Sequence, residues 1–227
     1  MKPKQVLKIL TDVSMTILLL LMMARNLVGE VAHEWLGIGI FGLFILHHVL
    51  NSQWSRHLFV GKYTTFRMLQ TVLVVLCLCA MMGSMVSGMV LSRYALSFLS
   101  FSSGQWWARI VHMLSAYWGF VFLSLHLGLH WNMMMGMTKR LFRHPSDGRA
   151  WTARSIGMLI AIYGVYAFFK REVGSYMLLT NQFVFFDLDE PLILFLLDYM
   201  AIMGLFVFVG HYIAEVTRRI SKGSRAA

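Results

Sequence analysis

The sequence predicts an all-α fold: a polytopic transmembrane helix bundle of about six spans, forming a single integral membrane domain. Three observations carry it. Of the 227 residues 58% are hydrophobic and only 13% charged, against about 25% charged in soluble domains. Several uncharged runs exceed the ~18 residues that mark a membrane-spanning helix. The net charge of +10, which in a soluble chain would suggest a nucleic-acid partner, falls in alternate loops as a membrane topology requires.

The first span is expected over residues 6–28. Its basic start (Lys2, Lys4, Lys8) resembles a secretory leader, but Ala24 is followed by Arg25 and Asn26, and without a small-residue cleavage site the segment reads as retained. The second span covers 33–51, the third 66–91 and the fourth 106–136, each with a long uncharged core. The fifth, 152–169, has only 15 uncharged residues from Ser155 to Phe169, and the sixth, 191–214, is long enough but carries Asp198. Residues 173–186 are apolar and aromatic but too short to cross, so they are expected in the outer interface or as a plug over the bundle. Pro145-Ser146-Asp147-Gly148 reads as a cytoplasmic turn. Cys77 and Cys79 lie about 200° apart on a helix and are expected as small apolar fillers, not as a disulfide.

With six spans and a cytoplasmic N-terminus, 15 Lys and Arg residues fall inside, from Lys2 through Arg56, Lys62, Arg67, Lys139, Arg140 and Arg143 to Arg225. Five fall outside: Arg25, Arg93, Arg109, Lys170 and Arg171. An even number of spans returns the basic C-terminus to the inside. Topology thus accounts for the charge, with lipid as the partner and no nucleic acid. Glu30, Glu34, Glu172, Asp187, Asp189 and Glu190 fall on the outward side.

Six of the nine histidines (His33, His47, His48, His112, His126, His130) occupy the second and fourth spans. Ionisable groups in a membrane are costly and usually face the bundle interior with a partner. His33 and His47 are 14 residues apart, as are His112 and His126; 14 helical steps fall about 40° short of four turns, so each pair shares a face. The two levels are ~21 Å apart along the helix. The second and fourth spans run in the same direction, so His33 matches His112 at the outer level and His47 matches His126 at the inner one. Such imidazole pairs are the arrangement that axially ligates two haems, with both axial positions filled and electron transfer favoured over oxygen chemistry. The absence of a Cys-x-x-Cys-His motif excludes covalent attachment, so two haem b groups held between the second and fourth helices are expected.

His48 and His130 remain alternatives as ligands, as a quinone site or proton path, or as hydrogen-bonding groups between helices; His47 is favoured over His48 because it keeps the equal spacing. His57, His144 and His211 lie in loops or near a helix end. Gly37, Gly39, Gly42, Gly119 and Gly128 reduce bulk beside the proposed sites or let helices approach. Arg25, Arg93 and Arg109 near the outer ends, and Lys62 and Arg67 near the inner ones, are placed to pair with haem propionates. Asp198, about two turns into the sixth span, is a candidate proton acceptor for quinol.

The segments His33-Glu-Trp-Leu-Gly37, His47-His-Val-Leu-Asn51, His112-Met-Leu-Ser-Ala-Tyr-Trp-Gly-Phe120 and His126-Leu-Gly-Leu-His130-Trp131 are similar to cytochrome b of quinol-oxidising complexes. The chain more closely resembles the bacterial flavinylation-associated cytochrome domain family, over most of the first four spans. That resemblance implies a small b-type membrane cytochrome, an electron-transfer component of an oxidoreductase system, in a bacterial cytoplasmic membrane. It also implies an extracytoplasmic FMN-bearing flavoprotein as partner, with quinol or an inner-side donor supplying electrons. Two other classes compete: a transporter or channel with a His/Asp metal or proton path, and a non-catalytic haem-holding anchor for a soluble oxidoreductase.

Overall fold

In the computed structural model, residues 3–58, 60, 63–99, 101, 103–138, 147–184, 187 and 189–223 are described, the side chains of 137, 138, 222 and 223 excepted. Lys2, Lys62, Lys139, Arg140, Arg143, His144, Pro145, Ser146 and Arg225 lie outside the described residues, as does the Lys222 side chain. The described chain is helical: α1 (Pro3–Met23), α2 (Arg25–Val28), α3 (Glu30–Leu50), α4 (Ser52–Arg56), α5 (Thr65–Leu91), α6 (Gln105–Thr138), α7 (Asp147–Lys170), α8 (Val173–Met177) and α9 (Leu192–Gly223). A 3₁₀ turn at Ser97–Leu99 lies between α5 and α6. Six helices, α1, α3, α5, α6, α7 and α9, are long and apolar enough to cross a membrane, so the chain is a multi-pass membrane protein by the length and composition of its helices.

Local chemistry sets several boundaries. The stretch expected as one span over 6–28 divides at Ala24 into α1 and α2, and a second break follows at Gly29, whose φ of 87° favours glycine. The Thr64 hydroxyl accepts from the Arg67 amide and caps α5. α7 runs for 24 residues, well beyond its uncharged core, because Arg149 and Arg154 sit near its start, where long cationic side chains reach back toward water. α9 begins just after Pro191, a residue suited to a first helical turn.

Packing orders the helices as a ring. α1 contacts α3, α3 contacts α5, α5 contacts α6, α6 contacts α9, and α9 returns to α1. α7 packs on α9 outside this ring, and α5 also touches α9. α3 is not closely packed against α6, although both carry inward-facing histidines. The main core joins Tyr117 and Phe120 of α6 with Tyr199 and Ile202 of α9, together with Val173, Tyr176 and Met177 of α8. α8 is thus buried along its length: the Tyr176 ring lies 4.9 Å from that of Tyr117, and the Trp118 indole donates to the Met177 carbonyl at 2.9 Å. Leu178 and Phe183 beyond it are exposed.

Glycines bring the backbones together. A Cβ on Gly128 would meet the Val207 carbonyl and Gly210 Cα of α9, and a Cβ on Gly164 the Ala201 carbonyl. Small residues that let backbones touch are a principal source of helix association in lipid. Cys77 is buried and Cys79 exposed on α5, both free thiols.

One ion-pair network ties α7 to α9. Asp198, 3% exposed in its side chain, accepts from Tyr163 Oη (2.6 Å), Lys170 Nζ (2.9 Å) and Arg171 Nε (2.8 Å). Arg171 also forms a two-pronged pair with Glu190 at 2.6 and 2.5 Å. The hydrogen bond from Arg171 holds the Glu190 carboxyl below its ordinary value, and Glu190 raises that of Arg171.

Two predictions follow. Gly128→Ala forces α6 and α9 apart and costs about 1–3 kcal/mol, read as a lower thermal midpoint in detergent; Gly136→Ala, where a Cβ meets nothing within 4 Å, leaves it unchanged. Because the Glu190 pKa is lowered on folding, its stabilisation is full above the unfolded carboxylate value of about 4.3 and is lost as pH falls through the folded one. The thermal midpoint therefore drops on acidification below about pH 4, and Glu190→Gln flattens that drop.

Candidate functional site

The site is built from imidazoles that α3 and α6 turn toward the ring interior. The His33 and His112 rings lie 6.2 Å apart between centroids at an interplanar angle of 72°. His112 Nδ1 is 3.1 Å from the Ser84 carbonyl and 3.1 Å from Ser87 Oγ on α5. A carbonyl only accepts, and the Ser87 hydroxyl donates to the Gly83 carbonyl at 2.6 Å. The proton of His112 is therefore assigned to Nδ1, which leaves Nε2 as its basic nitrogen. His33 Nδ1 is buried without a hydrogen-bond partner.

Glu34, adjacent to His33, does work that the sequence did not disclose. Its carboxylate accepts from Ser92 Oγ (2.8 Å) and from the amides of Arg93 (2.9 Å), Tyr94 (2.9 Å) and Ala95 (2.8 Å). These are donors that the end of α5 leaves without helical partners, gathered on one anion. α3 is thereby pinned to the α5–α6 connection one residue from a candidate ligand. Neither spacing nor periodicity marks this contact, which spans 58–61 positions in the chain.

At the other end, His47 Nδ1 lies 2.7 Å from Asp12 Oδ1 on α1. Lys8 donates to Asn51 Oδ1 at 2.8 Å, and Asn51 Nδ2 donates to the His47 carbonyl at 2.9 Å. Asp12 and Asn51 are further residues that sequence reasoning missed; a lone acid inside the first apolar run was the available signal for Asp12. His126 Nδ1 is buried without a partner, and its ring lies 4.8 Å from that of His130. His47 and Asp12 are both within electrostatic reach of His126 and His130. The four favoured histidines thus form one direct ring pair, His33 with His112, and one looser group around His47 and His126.

The two alternatives have neighbours of their own. His48 Nδ1 contacts the Phe44 carbonyl at 2.9 Å, its ring 4.3 Å from Phe44. His130 Nε2 is 3.4 Å from Gln70 Nε2 on α5. His57 contacts the Gln53 carbonyl, and His211 approaches Glu215 at 3.8 Å. Among the described residues, no three His, Cys, Asp or Glu side chains form a group that could hold a metal ion by themselves; the histidine site offers two donors at a time.

The cations are dispersed. Arg25 pairs with Glu30 at 2.7 Å, and Arg93 and Arg109 are exposed. Arg67 donates to the His57 and Leu58 carbonyls and lies over the Tyr63 ring. Both Asp198 oxygens are taken by α7 and by Arg171, which gives that carboxylate a structural task. Of the glycines, Gly119 faces Ala80 on α5 at 3.3 Å and Gly128 touches α9, so both serve helix approach, whereas Gly42 borders open space.

Glu34→Ala removes the acceptor of four donors. Hydrogen–deuterium exchange at the 93–95 amides should rise by about tenfold or more, as the loss of charge-assisted hydrogen bonds implies, while exchange in α9 stays unchanged.

Comparison of the chain with protein-family models, with curated proteins and with solved structures found no match in any of the three.

Proposed function

We propose that the protein is a transmembrane electron carrier, a b-type cytochrome with two haems held between α3 and α6, and that it passes single electrons across a bacterial cytoplasmic membrane. The observation that carries this reading is the His33–His112 pair: two imidazoles 6.2 Å apart on helices that are not closely packed together. A metal shared by two imidazole nitrogens at ~2.0 Å each would need ring centroids ~6.3 Å apart, a spacing at which His33 and His112 could hold it together. His112 has its Nδ1 proton engaged by α5, the outer hydrogen bond that metal-bound histidines usually keep. His33 and His126 each bury an Nδ1 with no partner, a polar atom whose burial in an apolar interior costs free energy.

His33 and His112 would hold one haem and His47 and His126 the other, His48 and His130 being the alternatives at the second level. When bound, haem supplies reversible one-electron chemistry without an open iron position for substrate. The protein's own residues set the rest. Ser84 and Ser87 orient His112, Asp12 orients His47, and Glu34 fixes the α3 end that carries His33.

The charge distribution, 15 basic residues on the side of the termini against five opposite, supports cytoplasmic termini. The His33 level is then the outer one. Quinol or an inner-side donor would supply electrons at the His47 level, and an extracytoplasmic flavoprotein bearing FMN would accept them at the His33 level.

Purified protein should show a Soret band, sharp reduced α bands and about two haems per chain. His112→Ala and His126→Ala should each leave about one. Colourless protein, or unchanged haem content in both variants, overturns the reading in favour of a His-lined transport path.

A further inference from the structure

We propose that the His33–His112 site grips its haem unequally: His112 is the retaining ligand and His33 the exchangeable one, so that a small neutral diatomic of the carbon monoxide class takes the His33 position. The inference rests on the haem reading above at this one level, and adds a ligand-binding activity to electron transfer. The two imidazoles lie 6.2 Å apart but are backed differently. His112 Nδ1 has the Ser84 carbonyl and the Ser87 hydroxyl of α5 at 3.1 Å each. Ser87 is itself fully buried and donates to the Gly83 carbonyl at 2.6 Å, so this backing belongs to the α5–α6 seam. His33 Nδ1, the corresponding nitrogen, is buried with no partner among the described residues. An outer hydrogen bond orients a ligating imidazole and raises its basicity, and losing one typically weakens metal affinity by about 10–100-fold.

Backbone placement acts in the same sense. His112 lies well inside α6 (Gln105–Thr138), a helix that packs closely on α5 and α9, and its neighbour Met113 is buried. His33 lies in the first turn of α3 (Glu30–Leu50), whose one buried residue is Ile40. Its amide donates to the carbonyl of Gly29 at 3.0 Å, the glycine at φ 87° that separates α3 from α2. Val31 and Trp35 on either side of it are exposed. Helix ends with few buried contacts open more readily than packed interiors. What restrains this end is Glu34, through Ser92 and the amides of Arg93, Tyr94 and Ala95. Glu34 is thus a positioning residue for His33.

The exchange breaks the dative bond from a His33 ring nitrogen to iron and forms one from the lone pair of the incoming ligand. No proton moves, and the iron keeps its oxidation state. With α3 pinned, the imidazole leaves by turning between staggered side-chain rotamers, and the space it vacates is that of a single ring. This limits the ligand to a few heavy atoms. An apolar interior penalises a charged one, which leaves a small neutral molecule.

Carbon monoxide titration of the reduced holoprotein tests this. Wild type should show a saturable Soret shift, and His112→Ala should abolish it. His33→Ala should keep the wild-type haem content while part of it turns high-spin, and should bind carbon monoxide about tenfold or more tightly because no internal ligand competes. Glu34→Gln should leave the haem content unchanged and speed carbon monoxide binding about tenfold, the lower end of the range for losing a supporting contact. A wild-type spectrum unmoved by carbon monoxide overturns the inference without recourse to any variant. So does a shift that persists in His112→Ala, or a folded His33→Ala protein that loses as much haem as His112→Ala. Absence of haem in wild type would instead refute the reading beneath it, so the two failures are distinct.

Discussion

Glu34 fixes the position of α3, because its carboxylate gathers three amides and a hydroxyl from the turn that ends α5 and so makes a polar joint where apolar packing is thin. α3 has one buried residue, Ile40, and large exposed side chains such as Trp35, Ile45 and Val49. In lipid an exposed apolar side chain costs nothing, so burial alone does not hold such a helix. Polar contacts at its ends do: Glu34 at the start, and at the finish Lys8 with Asn51 and Asp12 with His47. Each of these lies within a residue of an imidazole or a few positions from one. The contacts that seat the helix are the same ones that aim the histidines.

α6 is held in the opposite manner. It packs closely into α5 and α9, and the Gly128–Gly210 approach brings backbones together, with polar contacts such as Arg218 to the Leu129 carbonyl beside it. The histidines of α6 thus stand on a rigid wall and those of α3 on a pinned but lightly packed one.

Much of this was legible in the sequence. The apolar runs disclosed six spans because chain polarity has to vanish wherever lipid is the solvent. The shared direction of the second and fourth spans put His33 and His112 at one depth, and their rings do lie 6.2 Å apart. The carboxylates were not legible. Glu34 sat among the outward acids, and Asp12 was simply one acid in a long apolar stretch; their partners are distant in sequence and follow no period. The same holds for Asp198: its location marked it as a candidate proton acceptor, but the sequence did not disclose that Tyr163, Lys170 and Arg171 are arranged around it. Residues 173–177 joined the core because Tyr176 and Met177 found partners on α6, a matter of assembly that composition does not encode.

The ring has an order of construction. α1, α3, α5 and α6 precede α9 in the chain, and α1 and α6 are not closely packed against each other. α9, the last of the six long helices to leave the ribosome, bridges α6 to α1 and closes the ring. Until then the imidazole faces of α3 and α6 are open sideways to the bilayer. Any group too large to slip between packed helices would then have to be in place before α9 docks, with no later opening of the finished bundle.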